Sequence, residues 1–274
     1  MKRLLVTGGA GFLGYHICNK LAKHYDEVVI IDIDTFIKED YPSNTRYIKL
    51  DIRHRKALSE LMKKERFSAI IHGAAALPLY KPVVIRQVNI GGTKNVLDAA
   101  LKHKVERVVF ISSTAVYGVP KKHPIYEGDP RIGVGPYGET KIIAEKLCEA
   151  YRKKGLCVPI IRPKTFIGTT RLGVFQILYD WVESGKRIPI IGNGKNRYQL
   201  LEVEDLVDSI HLTLTRNKKK ANDTFNVAAE TFKTVNEDVS ALCNYAKSGA
   251  RVFPTPSFLV KPALITLEAM KLSP

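Results

Sequence analysis

The chain has 274 residues, 45% of them hydrophobic, which is long and apolar enough to bury a sizeable core. No run approaches the roughly 18 apolar residues of a membrane helix, and the sequence opens on a strand-like pattern, so we expect a cytoplasmic protein without a secretion signal. The formal charge of +16 is spread over loops and predicted helix ends without a nucleic-acid-binding motif, so no nucleic-acid partner is expected. The four cysteines are scattered without metal-ligand spacing, so no metal site is expected.

The chain begins with the pattern of a buried strand, a glycine-rich turn and a helix. The turn spans Thr7 to Gly14, and the helical spacing runs from Phe12 to Leu21. Gly8 suits a left-handed turn, Gly11 lets a pyrophosphate approach the backbone, and Gly14 lets the helix pack on the strand. Turn geometry alone would also explain the glycines. On the dinucleotide interpretation, the cofactor contacts at this helix N-terminus are Gly8, Gly11, Phe12, Leu13 and Gly14.

Polar or small residues follow each of the next three strands. Strand Glu27–Asp32 ends in a carboxylate 18 residues beyond Gly14, which suits hydrogen bonds to an adenosine ribose. A carboxylate repels a 2′-phosphate, which favours NAD over NADP. Asp51 and Ile52 follow the third strand, where we expect them to contact the adenine. Ala74 and Ala75 follow the fourth strand and leave room for the cofactor, although tight packing would also explain them.

Strand and helix patterns alternate along the first 165 residues, including a helix predicted over 89–103 and a strand over 105–111. This alternation predicts an α/β fold with a doubly wound parallel sheet, the Rossmann architecture. A strand-like run at 224–227 is expected to return to the sheet. We therefore predict a cofactor domain of residues 1–165 with 203–227, and a smaller, interleaved substrate-binding part of residues 166–202 and 228–274.

Two segments carry candidate reaction chemistry. Ser113 follows the fifth strand, whose carboxyl end should border the cofactor crevice. Tyr137 and Lys141 lie four residues apart in a predicted helix, so their side chains share one face. An adjacent ammonium favours the phenolate, which can accept a proton from a substrate hydroxyl while Ser113 holds the same oxygen. Such a pair also occurs by chance on surface helices, and the serine cluster 24 residues earlier is what favours catalysis.

Together these motifs resemble the extended short-chain dehydrogenase/reductase family, and within it the NAD-dependent nucleotide-sugar epimerases and dehydratases. The resemblance covers nearly the whole chain. It implies NAD as the cofactor, Ser113, Tyr137 and Lys141 as the catalytic residues, and a homodimer formed through helices 89–103 and 137–154. Tyr137, Lys141 and Asn89 are assigned to the cofactor site on the same ground. The residues that carry the resemblance are Thr7–Gly14, Asn89 with Gly92-Thr93, Ser113, Tyr137, Lys141 and Arg162-Pro163.

The resemblance also bears on the reaction and the substrate. Dehydratases of this group place an Asp-Glu pair directly after the catalytic hydroxyl residue, where this chain has Thr114 and Ala115. That implies epimerisation or simple oxidoreduction instead of loss of water. Arg197 stands in a loop that resembles the family's arginine clamp for the nucleotide diphosphate, and Thr165 replaces an asparagine that binds the nucleotide sugar. The expected substrate contacts are Ser113, Thr114, Lys164, Thr165 and Arg197.

Three hypotheses follow. The leading one is an NAD-dependent epimerase or 4-oxidoreductase of a nucleotide-activated sugar, with Tyr137 as the base. The second keeps the fold but takes a lipid-like alcohol with NAD or NADP, in peripheral contact with an anionic membrane, because of the positive charge and an apolar helical segment near the C-terminus. The third is a regulatory protein that senses NAD without turnover, against which the presence of Ser113, Tyr137 and Lys141 argues.

Overall fold

The computed structural model describes residues 2–170, 175–256 and 258. The chain divides into two units: unit 1 comprises Met1–Gly168 and Leu201–Ala228, and unit 2 comprises Thr169–Leu200 and Ala229–Pro274. The apolar segment near the C-terminus, expected to be helical, lies outside the described residues. Within the described part of the chain, no helix is long and apolar enough to cross a membrane.

Unit 1 is built on a seven-stranded parallel sheet, which confirms the predicted doubly wound α/β fold. The strands run in the order β10-β6-β5-β4-β1-β2-β3, so the run 224–227 does return to the sheet as an edge strand. The strand order reverses between β1 and β4, and the carboxyl ends of these two strands border the crevice where such sheets bind ligands. The strands are β1 (Arg3–Thr7), β2 (Glu27–Asp32), β3 (Thr45–Lys49), β4 (Ala69–His72), β5 (Arg107–Ile111), β6 (Ile160–Pro163) and β10 (Thr224–Val227), with the short pair β7 (Phe166–Ile167) and β9 (Leu201–Glu202) beside them.

Helices cover both faces of this sheet because its strands are apolar on both sides. Leu5 of β1 packs into one core with residues of α2, α4 and α5, while Leu4 packs into the other with residues of α1 and α7. Continuous apolar strands of this kind are typical of parallel sheets. The helices of unit 1 are α1 (Phe12–Leu21), α2 (Arg55–Glu65), α3 (Pro82–Arg86), α4 (Thr93–Lys102), α5 (Gly135–Lys153), α7 (Val203–Thr215) and α8 (Lys218–Ala221).

The helix predicted over 89–103 differs from the structure. Residues Gln87–Gly92 form a π-helical turn between α3 and α4, and only Thr93–Lys102 is regular α-helix. The π turn widens the helix by one residue. It leaves both Asn89 and Thr93 buried, and it brings the Gly92 backbone so close to Ile52 that a Cβ there would lie 2.4 Å from that side chain.

Unit 2 is smaller and has its own core. Two parallel strands, β8 (Arg187–Ile191) and β11 (Arg251–Thr255), pair along their length. Helix α6 (Gln176–Glu183) and helix α9 (Val235–Ala246) contribute Val182 and Cys243 to a cluster with Ile188 and Ala250. The start of α9 is fixed by a capping box between Thr234 and Glu237.

Candidate active site

The glycine turn between β1 and α1 is shaped by close backbone approaches. Gly8 has a φ of +72°, and a Cβ there would lie 2.7 Å from the nitrogen of Ala74. A Cβ on Gly14 would lie 2.4 Å from the Cα of Gly9. At Gly11, by contrast, the nearest neighbour of an added Cβ is the Gly8 oxygen at 3.4 Å. Gly8 and Gly14 therefore fix the turn, whereas Gly11 leaves the start of α1 uncovered.

The start of α1 has the properties of an anion site. No side chain caps this N-terminus, and the first turn contains no acidic residue. The free N–H groups and the positive end of the helix dipole are therefore available to a pyrophosphate. The site fits a dinucleotide cofactor, which would be held by the backbone of Gly11, Phe12 and Leu13.

Asp32 ends β2 beside the glycine turn, and its carboxylate accepts three backbone N–H groups. Oδ2 accepts from Ala10 at 2.9 Å, and Oδ1 accepts from Ile33 at 2.7 Å and Asp34 at 3.2 Å. A carboxylate offers about four acceptor positions, so one remains for a ribose hydroxyl. The ribose contact stays a prediction, and the structure adds that Asp32 also holds the glycine turn in place.

The residues expected around the adenine lie after β3. The Asp51 carboxylate accepts from Arg53 Nε at 2.8 Å, and this hydrogen bond with the guanidinium lowers the pKa of Asp51. Ile52 is only 5% exposed and packs in the core. After β4, Ala74 and Ala75 are half-buried, and Ala74 donates its N–H to Thr7 Oγ1 at 3.2 Å. Ala74 thus lies against the glycine turn.

An uncharged chain of hydrogen bonds runs behind the glycine turn; we call it the neutral chain, formed by Thr7, His72, Thr93, Asn89 and Thr140. Because Thr93 donates to the Asn89 carbonyl at 2.7 Å, its oxygen accepts from His72 Nε2, 3.0 Å away. His72 Nδ1 then accepts from the Thr7 hydroxyl at 2.7 Å. Complete burial, assisted by the nearby charge of Lys141, lowers the pKa of His72 to about 3. The imidazole is therefore neutral.

The neutral chain continues to the start of α5 through Asn89, which is 2% exposed. Its Oδ1 accepts from Ala76 N at 2.8 Å, and its Nδ2 donates to the Ala76 carbonyl and to Thr140 Oγ1, both at 3.1 Å. Thr140 donates in turn to the carbonyl of Tyr137 at 2.9 Å. Direct cofactor contact by Asn89 stays a prediction; in the structure its amide ties the segment after β4 to Tyr137.

Ser113, Tyr137 and Lys141 meet where the carboxyl end of β5 lies against α5. Lys141 is 3% exposed, and its Nζ donates to the Ile111 carbonyl at 2.8 Å and lies 5.8 Å from the centre of the Tyr137 ring. Ser113 accepts a hydrogen bond from Ala115 N at 3.1 Å and interacts with the Tyr137 hydroxyl. The sequence spacing thus does bring these three residues together.

The electrostatics of these residues follow from burial. Burial raises the pKa of Tyr137, and the hydrogen bond with Ser113 opposes that rise. Burial lowers the pKa of Lys141 to about 8, although the charge of Glu145 opposes this shift. Lys141 is therefore an ammonium at neutral pH. A buried cation beside a tyrosine stabilises the phenolate, which can then act as a base.

A second buried network, which we call the ionic cluster, consists of Glu145, Arg162 and Arg131 with Ser112 and Tyr117. Glu145 is fully buried and accepts from Arg162 Nε and Nη2 at 2.8 and 2.7 Å, from Arg131 at 2.8 Å and from Ser112 Oγ at 2.5 Å. Arg162 also donates to the Tyr117 hydroxyl at 2.6 Å. The guanidiniums and the Ser112 hydroxyl outweigh burial and lower the pKa of Glu145, which is therefore ionised.

The residues expected to contact the substrate are spread over both units. In unit 1, the Thr114 hydroxyl donates to the Pro163 carbonyl at 3.3 Å. Lys164 and Thr165 follow β6; Lys164 is half-buried and Thr165 is exposed. In unit 2, Arg197 is exposed, stacks 4.7 Å from the Phe232 ring centre and donates to the Phe232 carbonyl at 3.0 Å. Each side chain has a polar group that can serve a ligand, and their substrate contacts stay predictions.

The neutral chain and the ionic cluster were not predicted from the sequence. Glu145 stands four residues after Lys141, and this same-face spacing is a signal that points to it. His72 has no such signal, because its partners Thr7 and Thr93 are 65 and 21 residues away. Within the described residues, no group of His, Cys, Asp and Glu side chains is arranged to hold a metal ion.

Comparisons with known proteins agree with this geometry. The profile of the NAD dependent epimerase/dehydratase family matches residues 4–228. An uncharacterized protein of Sinorhizobium fredii is 33% identical over 276 aligned residues, which cover 100% of this chain and 68% of that protein. A putative UDP-glucose 4-epimerase of Methanocaldococcus jannaschii is 30% identical over 246 residues, which cover 85% of this chain and 79% of the relative.

The fold is also found in solved structures. The UDP-glucose 4-epimerase of Thermus thermophilus, in complex with NAD, superposes with a TM-score of 0.80 at 27% identity, over 93% of this chain and 86% of that one. The profile match takes in the sheet, the glycine turn and α5. The chain therefore belongs to the NAD dependent epimerase/dehydratase family, and its cofactor is NAD.

Proposed function

We propose that the protein is an NAD-dependent epimerase or 4-oxidoreductase of a nucleotide-activated sugar. The observation that carries the proposal is the meeting of Ser113, Tyr137 and Lys141 at the carboxyl end of β5 in a chain of this family. Relatives with a named activity include UDP-glucose 4-epimerases, so UDP-glucose is the first substrate to test.

The residues of this chain divide the work. Tyr137 accepts the proton of the sugar hydroxyl, Ser113 holds the same oxygen, and the Lys141 ammonium stabilises the phenolate. Bound NAD supplies the hydride acceptor. Epimerisation needs no further acid or base, provided that the oxidised sugar rotates in the site so that the hydride would return to its opposite face as Tyr137 returns the proton. The proposed cofactor contacts are Gly8, Gly11, Phe12, Leu13, Gly14, Asp32, Asp51, Ile52, Ala74, Ala75, Asn89, Tyr137 and Lys141.

Loss of water is not part of the proposal. Elimination needs an acid and a base beside the catalytic hydroxyl, and the two residues after Ser113 are Thr114 and Ala115. The Thr114 hydroxyl is already engaged with the Pro163 carbonyl. The proposed substrate contacts are Ser113, Thr114, Lys164, Thr165 and Arg197. The lipid-alcohol and NAD-sensing hypotheses are not favoured by the named relatives.

A homodimer and a cytoplasmic location also belong to the proposal. We propose that the dimer contact lies on the helices around 89–103 and on α5, as the resemblance to the family implies. Val83 of the neighbouring α3 is 58% exposed, and Arg86 forms a 3.1 Å ion pair with Glu139 of α5. Light scattering on the purified chain measures the oligomeric state, and a monomer at working concentration would contradict this part of the proposal.

The main test is replacement of Tyr137 by phenylalanine. Tyr137→Phe should lower kcat on the order of 1000-fold, because it removes the proton acceptor, and should leave the affinity for NAD within about threefold. Turnover is followed by NMR of the sugar product with UDP-glucose and related nucleotide sugars. Tyr25→Phe, two residues before β2, is the matched control and should retain the wild-type rate.

Two outcomes would contradict the proposal. Full turnover by Tyr137→Phe would remove Tyr137 from the mechanism. Failure of the wild-type protein to convert any nucleotide sugar, together with NADH formation from a lipid-like alcohol, would replace the proposed substrate class with that of the second hypothesis.

A further inference from the structure

Helix α5 presents four polar residues to the site at intervals of four. Tyr137, Lys141, Glu145 and Glu149 lie one above another on one face. The first three contact three consecutive residues at the end of β5. Tyr137 interacts with Ser113, Lys141 donates to the Ile111 carbonyl at 2.8 Å, and Glu145 accepts from Ser112 Oγ at 2.5 Å.

Glu145 has no vacant acceptor position. Its two oxygens receive four hydrogen bonds, two from Arg162, one from Arg131 and one from Ser112. Four hydrogen bonds hold this fully buried carboxylate in one orientation, since each bond restricts its rotation. It is thus suited to hold other groups in place.

The partners of Glu145 come from three segments, two of which lead directly to proposed reacting residues. Ser112 directly precedes Ser113, Arg131 lies in the loop that leads to Tyr137, and Arg162 lies in β6 next to its last residue. Arg162 extends the contact to the loop by donating to the Glu127 carbonyl at 2.9 Å. These segments meet at a single carboxylate.

A contribution to stability alone does not account for this arrangement. Buried ion pairs often stabilise a protein no more than apolar residues of the same volume. Glu65 offers a comparison, because it is 6% exposed and pairs with Arg3 at 3.2 Å and Arg46 at 2.9 Å, at the amino end of the sheet. Glu65 joins strands and touches none of the proposed reacting residues, whereas Glu145 contacts the neighbour of one of them.

We propose that Glu145 is a positioning residue for the reaction: through Ser112 it sets the place of Ser113 beside Tyr137. Its carboxylate also lies one helical turn from Lys141 on the same face of α5, where its negative charge favours the charged form of that side chain. The inference rests on the proposed function. Glu145 touches neither substrate nor cofactor in this role; it acts through Ser112 and Lys141.

The charges around Lys141 define a pH test. On α5 it is faced by Tyr137, Glu145 and Cys148, and from β4 by His72. Burial raises the pKa of the Cys148 thiol and lowers that of His72, so both are uncharged near neutral pH. Glu145 is therefore the negative charge that favours the Lys141 ammonium. Its removal should therefore lower the pKa of Lys141, and the positive charges of the unpaired arginines should act in the same direction.

The experiment compares three variants by kcat, KM, pH profile and urea unfolding. Ser112→Ala should lower kcat on the order of 10-fold at nearly unchanged KM, because Ser113 loses its support. Glu145→Gln should lower kcat on the order of 100-fold and move the alkaline limb of the profile to lower pH. Glu65→Gln is the matched control, and it should lose stability while keeping kcat within about twofold and the alkaline limb in place.

Equal kcat losses in Glu145→Gln and Glu65→Gln, or an unmoved alkaline limb in Glu145→Gln, would overturn the proposal. If Glu145→Gln does not fold, Ser112→Ala and Glu145→Asp decide the matter. Glu145→Asp keeps the charge and withdraws the carboxylate, so it should lower kcat without moving the alkaline limb. Wild-type kcat in both variants would equally refute the positioning role.

A spectroscopic measurement separates this inference from the proposed function. If the wild-type chain converts no nucleotide sugar, the proposed function fails, but the phenolate absorbance of Tyr137 in the NAD complex is still measurable against Tyr137→Phe. The Ser113 hydrogen bond opposes the rise that burial causes in the pKa of Tyr137, so displacement of Ser113 in Ser112→Ala should move the phenolate midpoint to still higher pH. An unchanged midpoint would refute the positioning role whatever the substrate.

Discussion

The neutral chain and the ionic cluster both reach α5, but they are built from different chemistry. The neutral chain joins the glycine turn to the Tyr137 carbonyl through uncharged groups. The ionic cluster joins Ser112 and Tyr117 through the Glu145 carboxylate and two guanidiniums. Glu149 balances the charge of Arg131, with its Oε1 2.8 Å from Arg131 Nη1. Neither network adds net charge to the interior. Lys141 donates its hydrogen bond to a carbonyl and not to a carboxylate. Its positive charge therefore acts on Tyr137 without an adjoining ion pair that would neutralise it.

The largest difference between the two networks should appear when a single member is removed. Arg162→Met deprives Glu145 of two hydrogen bonds and leaves part of a buried charge uncompensated, so we expect a loss of about 3–5 kcal/mol in the free energy of unfolding. Urea denaturation measures it. The double variant Arg162→Met/Glu145→Met should recover most of that loss, because the charge is gone. If Arg162→Met lowers the free energy of unfolding by less than about 1 kcal/mol, the buried charge of Glu145 does not depend on Arg162.

Acid should weaken the neutral chain before it affects the ionic cluster. The pKa of His72 is 6.5 when unfolded and about 3 when folded, so the unfolded chain binds more protons in this window. The stability from neutral His72 is complete above about pH 6.5 and is lost as pH falls towards 3, by about 1.4 kcal/mol per pH unit. The pKa of Glu145 is lowered in the folded chain, so the stability that its charge contributes is lost only as pH falls below the ordinary carboxylate pKa of about 4.

Urea unfolding between about pH 7 and about pH 5 tests this order. His72→Gln keeps a donor and an acceptor but cannot titrate, so its stability should fall less over the same range. An identical pH slope in the wild type and in His72→Gln would assign the acid sensitivity to another group.

The smallest effect concerns the end of the neutral chain on α5. Thr140→Val preserves shape but removes the acceptor for Asn89 and the donor to the Tyr137 carbonyl. We expect the free energy of unfolding to fall by about 1 kcal/mol. Its dependence on pH should not change, because the substitution removes no titratable group. Thr215→Val, on the exposed last turn of α7, is the control and should stay within about 0.5 kcal/mol of the wild type. If Thr140→Val loses no more stability than Thr215→Val, the neutral chain ends at Asn89 and does not include Thr140.

The parts of the fold that depend on local sequence were predictable. The glycine turn, the apolar strands and the spacing of Tyr137 and Lys141 are short-range patterns, and each corresponds to an element of the structure. The return of strand 224–227 was predicted as well, because a strand-like apolar run in an α/β chain has a parallel sheet to join. The π turn at Gln87–Gly92 was not, since its hydrophobic spacing resembles that of an α-helix.

The parts that depend on tertiary partners were not predictable. Arg162 was recognisable as a motif residue, but its pairing with Glu145 required α5 and β6 to be placed side by side. The neutral state of His72 follows from its complete burial between two threonines that are distant in sequence, which no local pattern indicates. Charge and protonation in the interior depend on contacts between residues that are distant in sequence.

The discontinuity of unit 1 has a consequence for folding. The chain passes through residues 169–200 of unit 2 before α7 and β10 complete the sheet. Until then β6 is an open strand edge, and apolar side chains such as Ile161 lack the cover that Leu206 and Ile210 provide. An open parallel edge beside an uncovered apolar face is prone to aggregation. A fragment that stops near the end of β6 therefore contains every proposed catalytic residue, yet it lacks the segment that shields the sheet.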